Sequence, residues 1–316
     1  MKAVTINRYG SADVLQYKEV ETPKLKRDRV LVKVRATSVN PLDWKIRQGL
    51  FAPATLLRFP IILGFDLSGE VVEVGEGVTQ FKPGDLVYAL YDDLTQGAYA
   101  EYAVVPEKAL SLKPDNLSHE EAAAVPVTGL AALQGLRELG NIEAGQKVLI
   151  NGASGGVGTF AVQLAKNVFE ANVTGVCSGQ KAEFVKGLGA DRVLDYTRED
   201  FTKGSEKYDI IFDTVSKVPF ARCKSVLTPK GVYLATVPMP GNAISAARSY
   251  LTPGKKAKFV FVRGNGSGLS DLKTWIEAGQ VRPIIDRTYP LSEMKAAHEY
   301  SQSERASGKI VITVAS

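Results

Sequence analysis

Two hydrophobic periods divide this chain. Up to about residue 115, apolar side chains recur at every second position in short runs. Val30-Leu-Val-Lys-Val-Arg-Ala36 alternates with period two, and the segments Glu70-Val-Val-Glu-Val-Gly75, Leu86-Val-Tyr-Ala-Leu-Tyr91 and Ala98-Tyr-Ala-Glu-Tyr-Ala-Val-Val105 follow it. Alternation of this kind puts one face of a strand in a core and the other in water. Turn signals such as Pro83-Gly84-Asp85 separate the runs, and many short strands punctuated by Gly and Pro predict a barrel or sandwich. The period changes at Ser118-His-Glu-Glu121, a capping box in which Glu121 reaches back to the cap amide. An Ala- and Leu-rich helical segment follows to about Leu139, with a break expected at Pro126 and Gly129.

Strands and helices then alternate. The pattern predicts strands at 147–151, 172–177, 192–195, 209–213, 232–236 and 258–262, with helices near 157–168, 181–188 and 218–227. Repeated βα units imply a parallel sheet covered on both faces, and six strands in this order fit a doubly wound dinucleotide fold. Past Gly264-Asn-Gly-Ser-Gly268 a helix (270–278), a strand (284–288), a helix (292–303) and a last strand, Lys309-Ile-Val-Ile-Thr-Val314, remain. This tail is expected to rejoin the first domain. The expected organisation is a β-rich domain over 1–120, a nucleotide domain over 121–264 and a returning segment over 265–316.

Composition narrows the picture slightly. The chain has 316 residues, 45% hydrophobic and 23% charged, which suits two ordinary folded domains. No run approaches the roughly 18 apolar residues of a membrane span, and the first residues enter strand-like alternation directly, so the expected location is cytoplasmic. Net charge is +5, but the basic residues are dispersed and the densest cluster is Lys24 to Arg29. Nucleic acid is therefore not the expected partner. Cys177, Cys223, His119 and His298 are the only cysteines and histidines; their spacing suits neither a metal site nor a disulfide framework.

The strongest chemical signal is Lys147-Val-Leu-Ile-Asn-Gly-Ala-Ser-Gly-Gly-Val-Gly158. Ala153-x-Gly155-x-x-Gly158 is a GxGxxG fingerprint with Ala first, between a strand and a helix as the fingerprint requires. Gly155 lets backbone amides approach a pyrophosphate, Gly158 permits close helix–strand packing, and the helix N-terminus faces the negative charge. The same residues spell Gly152-Ala-Ser154-Gly-Gly156, a nucleophile-elbow pattern, and Asp271 or Asp286 with His298 would complete the order of a serine hydrolase. Against that rival, the parallel series starts at this loop, and Gly158 has no use in hydrolysis. NAD sites carry Asp or Glu at the end of the second strand. Here the strand ends Val176-Cys-Ser-Gly-Gln-Lys181, without a carboxylate. Ser178 and Lys181 suit a 2′-phosphate, so the expected cofactor is NADPH.

These residues, with Ser38-Val-Asn-Pro-Leu-Asp43, Gly64-Phe-Asp-Leu-Ser-Gly-Glu-Val-Val-Glu-Val-Gly75, Phe81-Lys-Pro-Gly-Asp-Leu-Val87, Gly97-Ala-Tyr-Ala-Glu-Tyr102, Ala122-Ala-Ala-Val-Pro126 and Ser307-Gly-Lys-Ile-Val311, resemble the medium-chain dehydrogenase/reductase superfamily, in its zinc-free quinone and enone oxidoreductase branch. The likeness spans essentially the whole chain. It implies an α/β architecture, a GroES-like β-rich catalytic domain plus a Rossmann domain, with the active site in the cleft between them. The Gly-His-Glu of the zinc alcohol dehydrogenases reads Gly64-Phe65-Asp66 here, Asn40-Pro41 occupies the cysteine slot, and the four-cysteine lobe is missing.

By the same resemblance Gly156 and Val157 meet the pyrophosphate; Ser178, Lys181 and Tyr196 the 2′-phosphate; Thr128, Asn40 and Lys45 the nicotinamide or substrate; Gly308 and Lys309 close the far side. Quinone reductases place tyrosines where this chain has Lys45 and Phe51, which turns the expectation towards enones and 2-alkenals. Hydride addition to the β-carbon would leave an enolate, whose oxygen needs a donor; Lys45 is the first candidate and Asn40 the second, with water protonating the α-carbon. A non-enzymatic dinucleotide-binding role, structural or RNA-binding, is the main alternative, and a 2-enoyl thioester reductase a related one. The natural substrate and the oligomeric state, a homodimer included, stay open.

Overall fold

The computed structural model describes residues 1–50, 52, 59–91, 93, 96–236, 246–249 and 253–314. The chain divides into two compact units. The first comprises residues 1–130, 263–277 and 283–316, and the second residues 131–262 and 278–282. The tail thus falls in the first unit except for residues 278–282, which cluster with the second, and the second unit is inserted in the first.

The first unit opens with β1 (Lys2–Ile6), β2 (Gln16–Glu19) and β3 (Arg29–Val39). In β3 the alternation is as the sequence implies, with Val30, Val32, Val34 and Ala36 fully or almost fully buried. From Thr37 the strand is buried on both faces, although Thr37 and Ser38 are polar. A short helix, α1 (Pro41–Arg47), follows with Pro at its first position, where a missing N–H costs nothing. The sequence pattern did not reveal this helix. After β4 (Ile61–Ile62) come β5 (Asp66–Val74), β6 (Leu86–Leu90), β7 (Tyr102–Pro106) and β8 (Leu110–Leu112). Next, α2 (His119–Ala123) begins at the expected capping box: the Ser118 amide donates to Glu121 at 2.9 Å and the Glu121 amide to the Ser118 hydroxyl at 3.1 Å. The expected break separates it from α3 (Pro126–Leu133). Residues 121–130, expected in the nucleotide domain, cluster with the first unit instead; α2 packs on β3 and β5, and Ala123 and Ala124 form one buried cluster with Ala36 and Val311.

The second unit carries β9 (Lys147–Asn151), α4 (Gly156–Gln163), β10 (Asn172–Cys177), α5 (Ala182–Gly187), β11 (Arg192–Asp195), β12 (Tyr208–Asp213), α6 (Phe220–Cys223), β13 (Leu227–Ala235) and β14 (Lys256–Phe259). Its six strands are parallel in the order β11-β10-β9-β12-β13-β14, the doubly wound order. The order reverses between β9 and β12, and ligands of such sheets sit outside the carboxyl ends of the strands at that point.

The tail adds α7 (Gly266–Glu277), β15 (Ile285–Pro290), α8 (Met294–Gln302) and β16 (Lys309–Thr313). β16 pairs antiparallel with β3, Ile310 opposite Val39, in a sheet ordered β15-β16-β3-β5-β6-β8 with β7 also on β3. This register sets Lys309 beside the end of β3.

Candidate active site

In the second unit, the chain turns out of β9 through Gly152 at φ +80°. The amides of Gly152 and Ala153 donate to the Val176 carbonyl at 3.1 and 3.0 Å, closing the loop onto β10. A Cβ at Gly158 would run into the Gly152 carbonyl oxygen, so only glycine lets α4 start this close to the strand. Gly155 is the N-cap of α4, without a capping side chain. The amides of Gly156, Val157 and Gly158 precede the bond from the Thr159 amide to the Gly155 carbonyl. They are thus the unsatisfied donors that a helix start offers to an anion. This cradle fits the pyrophosphate of a dinucleotide.

Ser178 follows β10 and stands half-buried; its carbonyl accepts from the Lys181 amide at 2.9 Å in one tight turn. Tyr196 follows β11, 63% exposed, and its amide donates to the Cys177 carbonyl at 3.1 Å. The three expected 2′-phosphate residues therefore lie on neighbouring strand ends. Asp195 is adjacent, but the Thr197 amide and hydroxyl bind its carboxyl at 2.9 and 2.8 Å and hold it below the ordinary carboxylate range.

In the first unit the centre is a residue absent from the expected set. Asp66 opens β5 fully buried, in the Gly64-Phe65-Asp66 slot. Its carboxylate accepts from the Ser38 hydroxyl, from Asn40 Nδ2 at 2.8 Å, from Lys309 Nζ at 3.2 Å and from the Val127 amide at 2.6 Å. Asn40 Oδ1 accepts from Lys309 Nζ at 2.5 Å. One carboxylate thus joins the end of β3, the start of β16 and the N-terminus of α3. Lys309 is 3% exposed, and a buried ammonium needs such a partner.

Asn40 also caps α1: its amide donates to Asp43 at 2.6 Å. Lys45 sits half-buried on that helix, with Nζ 5.4 Å from the Trp44 ring centre. Thr128, on α3 next to Val127, gives its hydroxyl proton to the Ala124 carbonyl at 3.0 Å. Gly308 holds φ +96°, and a Cβ there would strike the Ile284 carbonyl oxygen. Phe51 lies outside the described residues.

Behind α1 is a second buried group. Arg47, Tyr99 and His298 are all fully buried. Arg47 lies 3.3 Å from His298 Nδ1 and donates to Gln302 at 2.8 Å, while His298 Nε2 lies 3.2 Å from the Tyr99 hydroxyl. The guanidinium can only donate, so Nδ1 accepts and Nε2 carries the proton. Burial, with the nearby Arg47 charge, pushes His298 down to about 3. Burial raises Asp43 to about 7, helped by Asp66 and opposed by the Asn40 hydrogen bond. Both nitrogens of His298 are engaged, and Asp286 binds the Tyr300 hydroxyl at 2.7 Å and the Ser307 amide at 3.1 Å. His298 is thus held by Arg47 and Tyr99, and not by either acid that the Ser154 hydrolase reading would pair with it. His119, at the start of α2, meets the Ser68 hydroxyl at 2.8 Å.

Family models match twice: the alcohol dehydrogenase GroES-like domain over residues 26–115 and a zinc-binding dehydrogenase over residues 188–312. The chain belongs to the medium-chain dehydrogenase/reductase superfamily, in its zinc-free quinone and enone oxidoreductase branch. Among its relatives is the 2-methylene-furan-3-one reductase of Solanum lycopersicum, 39% identical over 99% of this chain and 79% of that protein. The NADPH-dependent alkenal/one oxidoreductase of Arabidopsis thaliana, a chloroplastic protein, is 36% identical over 99% and 79%. The quinone oxidoreductase of Coxiella burnetii superposes with a TM-score of 0.90 at 31% identity, covering 100% of this chain and 99% of that one.

The zinc in the second model's description does not fit here. The Asn40–Asp66 cluster offers no thiolate or imidazole and already contains the Lys309 ammonium. Among the described residues no group of three His, Cys, Asp or Glu is placed to hold a metal ion, and no helix is long and apolar enough to cross a membrane.

Proposed function

We propose that this chain uses NADPH to reduce the activated double bond of enones and 2-alkenals, or quinones, with α1 supplying the group that steadies the developing oxyanion. The observation that carries the reading is the Asp66–Asn40–Lys309 cluster. Where zinc relatives use a metal, this chain has a carboxylate-bound ammonium and amide. Charge on the substrate oxygen must then be met by N–H or O–H donors.

NADPH, when bound, supplies the hydride. Gly156 and Val157 would offer their amides to its pyrophosphate, with Gly155 and Gly158 shaping the cradle. Ser178, Lys181 and Tyr196 would meet the 2′-phosphate. Thr128, whose hydroxyl proton is spent on Ala124, keeps lone pairs with which to accept from the nicotinamide end. Gly308 and Lys309 would close the far side. Lys45 would supply a donor to the substrate oxygen or the nicotinamide ribose. Asn40 already accepts from Lys309 and donates to Asp66, so its part is to hold α1 and Lys309 in place, with one Nδ2 proton left over.

The test is titration with NADPH and NADH, followed by addition of 2-alkenals, alkylidene ketones and quinones while absorbance at the reduced nicotinamide band is followed. Tight NADPH binding with turnover is expected. Replacing Lys45 with Ala should lower kcat about 100-fold, the size of one lost oxyanion donor, and Lys45→Arg should retain more. Binding without turnover on the whole panel would sink the reductase reading.

A further inference from the structure

A second buried carboxylate lies at the switch point of the parallel sheet. Asp213 ends β12 directly opposite Asn151, the last residue of β9, and is fully buried. Four N–H groups converge on it. Oδ1 accepts from Asn151 Nδ2 at 2.8 Å and from the amides of Val215 and Ser216 at 3.2 and 2.9 Å. Oδ2 accepts from the Val218 amide at 3.0 Å. The Tyr233 hydroxyl stands 3.1 Å from Oδ2 and shares its proton with the Val218 carbonyl at 2.7 Å. These donors are neutral, and a buried carboxylate held only by neutral donors is costly for a fold that needs only a strand end.

What the carboxylate holds is a turn in a disfavoured shape. Ser216 sits at φ +58°, in the left-handed region that non-glycine residues adopt at a cost. The same turn presses on the glycine loop. The Thr214 amide and hydroxyl donate to the Asn151 carbonyl at 3.1 and 2.8 Å. A Cβ at Gly152 would meet Val215 and the Thr214 hydroxyl. Val215 is left 42% exposed at the carboxyl ends of the strands, where sheets of this order bind their ligand.

We propose that Asp213 is a positioning residue for the dinucleotide. By gathering the 215, 216 and 218 amides and the Asn151 side chain onto one carboxylate, it fixes the 214–216 turn against the glycine loop. The dinucleotide then finds that wall already formed and need not order it on binding. This rests on the NADPH reading above. Asp213 touches no ligand itself, so its loss should act on cofactor affinity and leave the chemical step alone.

The test compares Asp213→Asn, Ser216→Gly, the double variant and Ser216→Val, each by NADPH titration, steady-state kinetics with a 2-alkenal, and thermal melting. Asn keeps one acceptor and turns a donor towards another donor, so Asp213→Asn should weaken NADPH binding at least tenfold. KM for NADPH should rise in step, with kcat and KM for the alkenal within about threefold of wild type. Glycine accepts the left-handed turn unaided. Ser216→Gly should therefore lose less affinity than Ser216→Val, and the double variant should recover most of the affinity lost in Asp213→Asn. If Asp213→Asn does not fold, Ser216→Val serves instead: it leaves the carboxylate and disfavours the turn, and a tenfold loss is expected. Wild-type affinity in a folded Asp213→Asn or in Ser216→Val overturns the proposal, as does a double variant no better than Asp213→Asn. A wild-type chain that binds no NADPH overturns the cofactor reading and this role with it.

Discussion

The residue with the widest reach in the first unit is Asp66, because it is one of very few buried charges and holds a cation 243 positions away in the sequence. Taking two opposite charges out of water is tolerable only while both remain. Lys309→Met strands the Asp66 carboxylate with only neutral donors and should cost about 3–5 kcal/mol. Converting the carboxylate to an amide at the same time removes the stranded charge. Asp66→Asn/Lys309→Met should thus be less destabilised than the sum of the two single changes, a coupling read from urea unfolding of all four proteins. If the two losses simply add, the pair is not a unit, and its place at the centre of the site falls with it.

At the scale of elements, what the sequence disclosed depended on how local the determinants are. The strands of the parallel sheet and the capping box at Ser118 were legible because each rests on a few neighbouring residues. The glycine loop was legible for the same reason. Helix α1 was hidden: seven residues starting at Pro41 give too few turns for a 3.6-residue period to emerge. Asp66 was hidden because its donors, three side chains and one backbone amide, are brought from distant elements, and Asp213 because three of its donors are amides of the turn that follows it, which leave no trace in side-chain identity. Asp66 had left one sign, its place beside the lost histidine in Gly64-Phe65-Asp66. The local logic of the glycine loop gives a sharp prediction. In Gly158→Ala the new Cβ meets backbone, the Gly152 carbonyl, and cannot turn away from it, so α4 must shift. A stability loss of about 1–3 kcal/mol is expected, with NADPH affinity lowered more than tenfold. A folded Gly158→Ala with unchanged affinity in a fluorescence titration would remove the cradle from the cofactor site.

For the whole molecule, the buried groups around α1 make opposite demands on pH. Asp43, raised to about 7 by burial, holds its proton more tightly in the folded state than at the unfolded value of about 3.9. Its contribution is therefore most favourable below about pH 4 and is lost as pH rises through 7. His298, lowered to about 3 by burial, does the reverse. The unfolded chain takes up a proton below about pH 6.5 and the folded one does not, so stability present above 6.5 is lost as pH falls towards 3. Between about pH 4 and 6.5 the two slopes oppose each other and flatten the stability of this region. Removing one exposes the other. In His298→Gln the amide can still accept from Arg47 and donate towards Tyr99, without the titration. Its stability relative to wild type should climb as pH is lowered from 6.5 to 4. Asp43→Asn should fall relative to wild type over the same range. Urea midpoints at pH 4.5, 6 and 8 for the three proteins test this, since taking differences from wild type cancels every other titrating group. Parallel curves for wild type and both variants would mean that neither side chain holds its proton as its burial dictates, and the account of what lies behind α1 would have to be rebuilt.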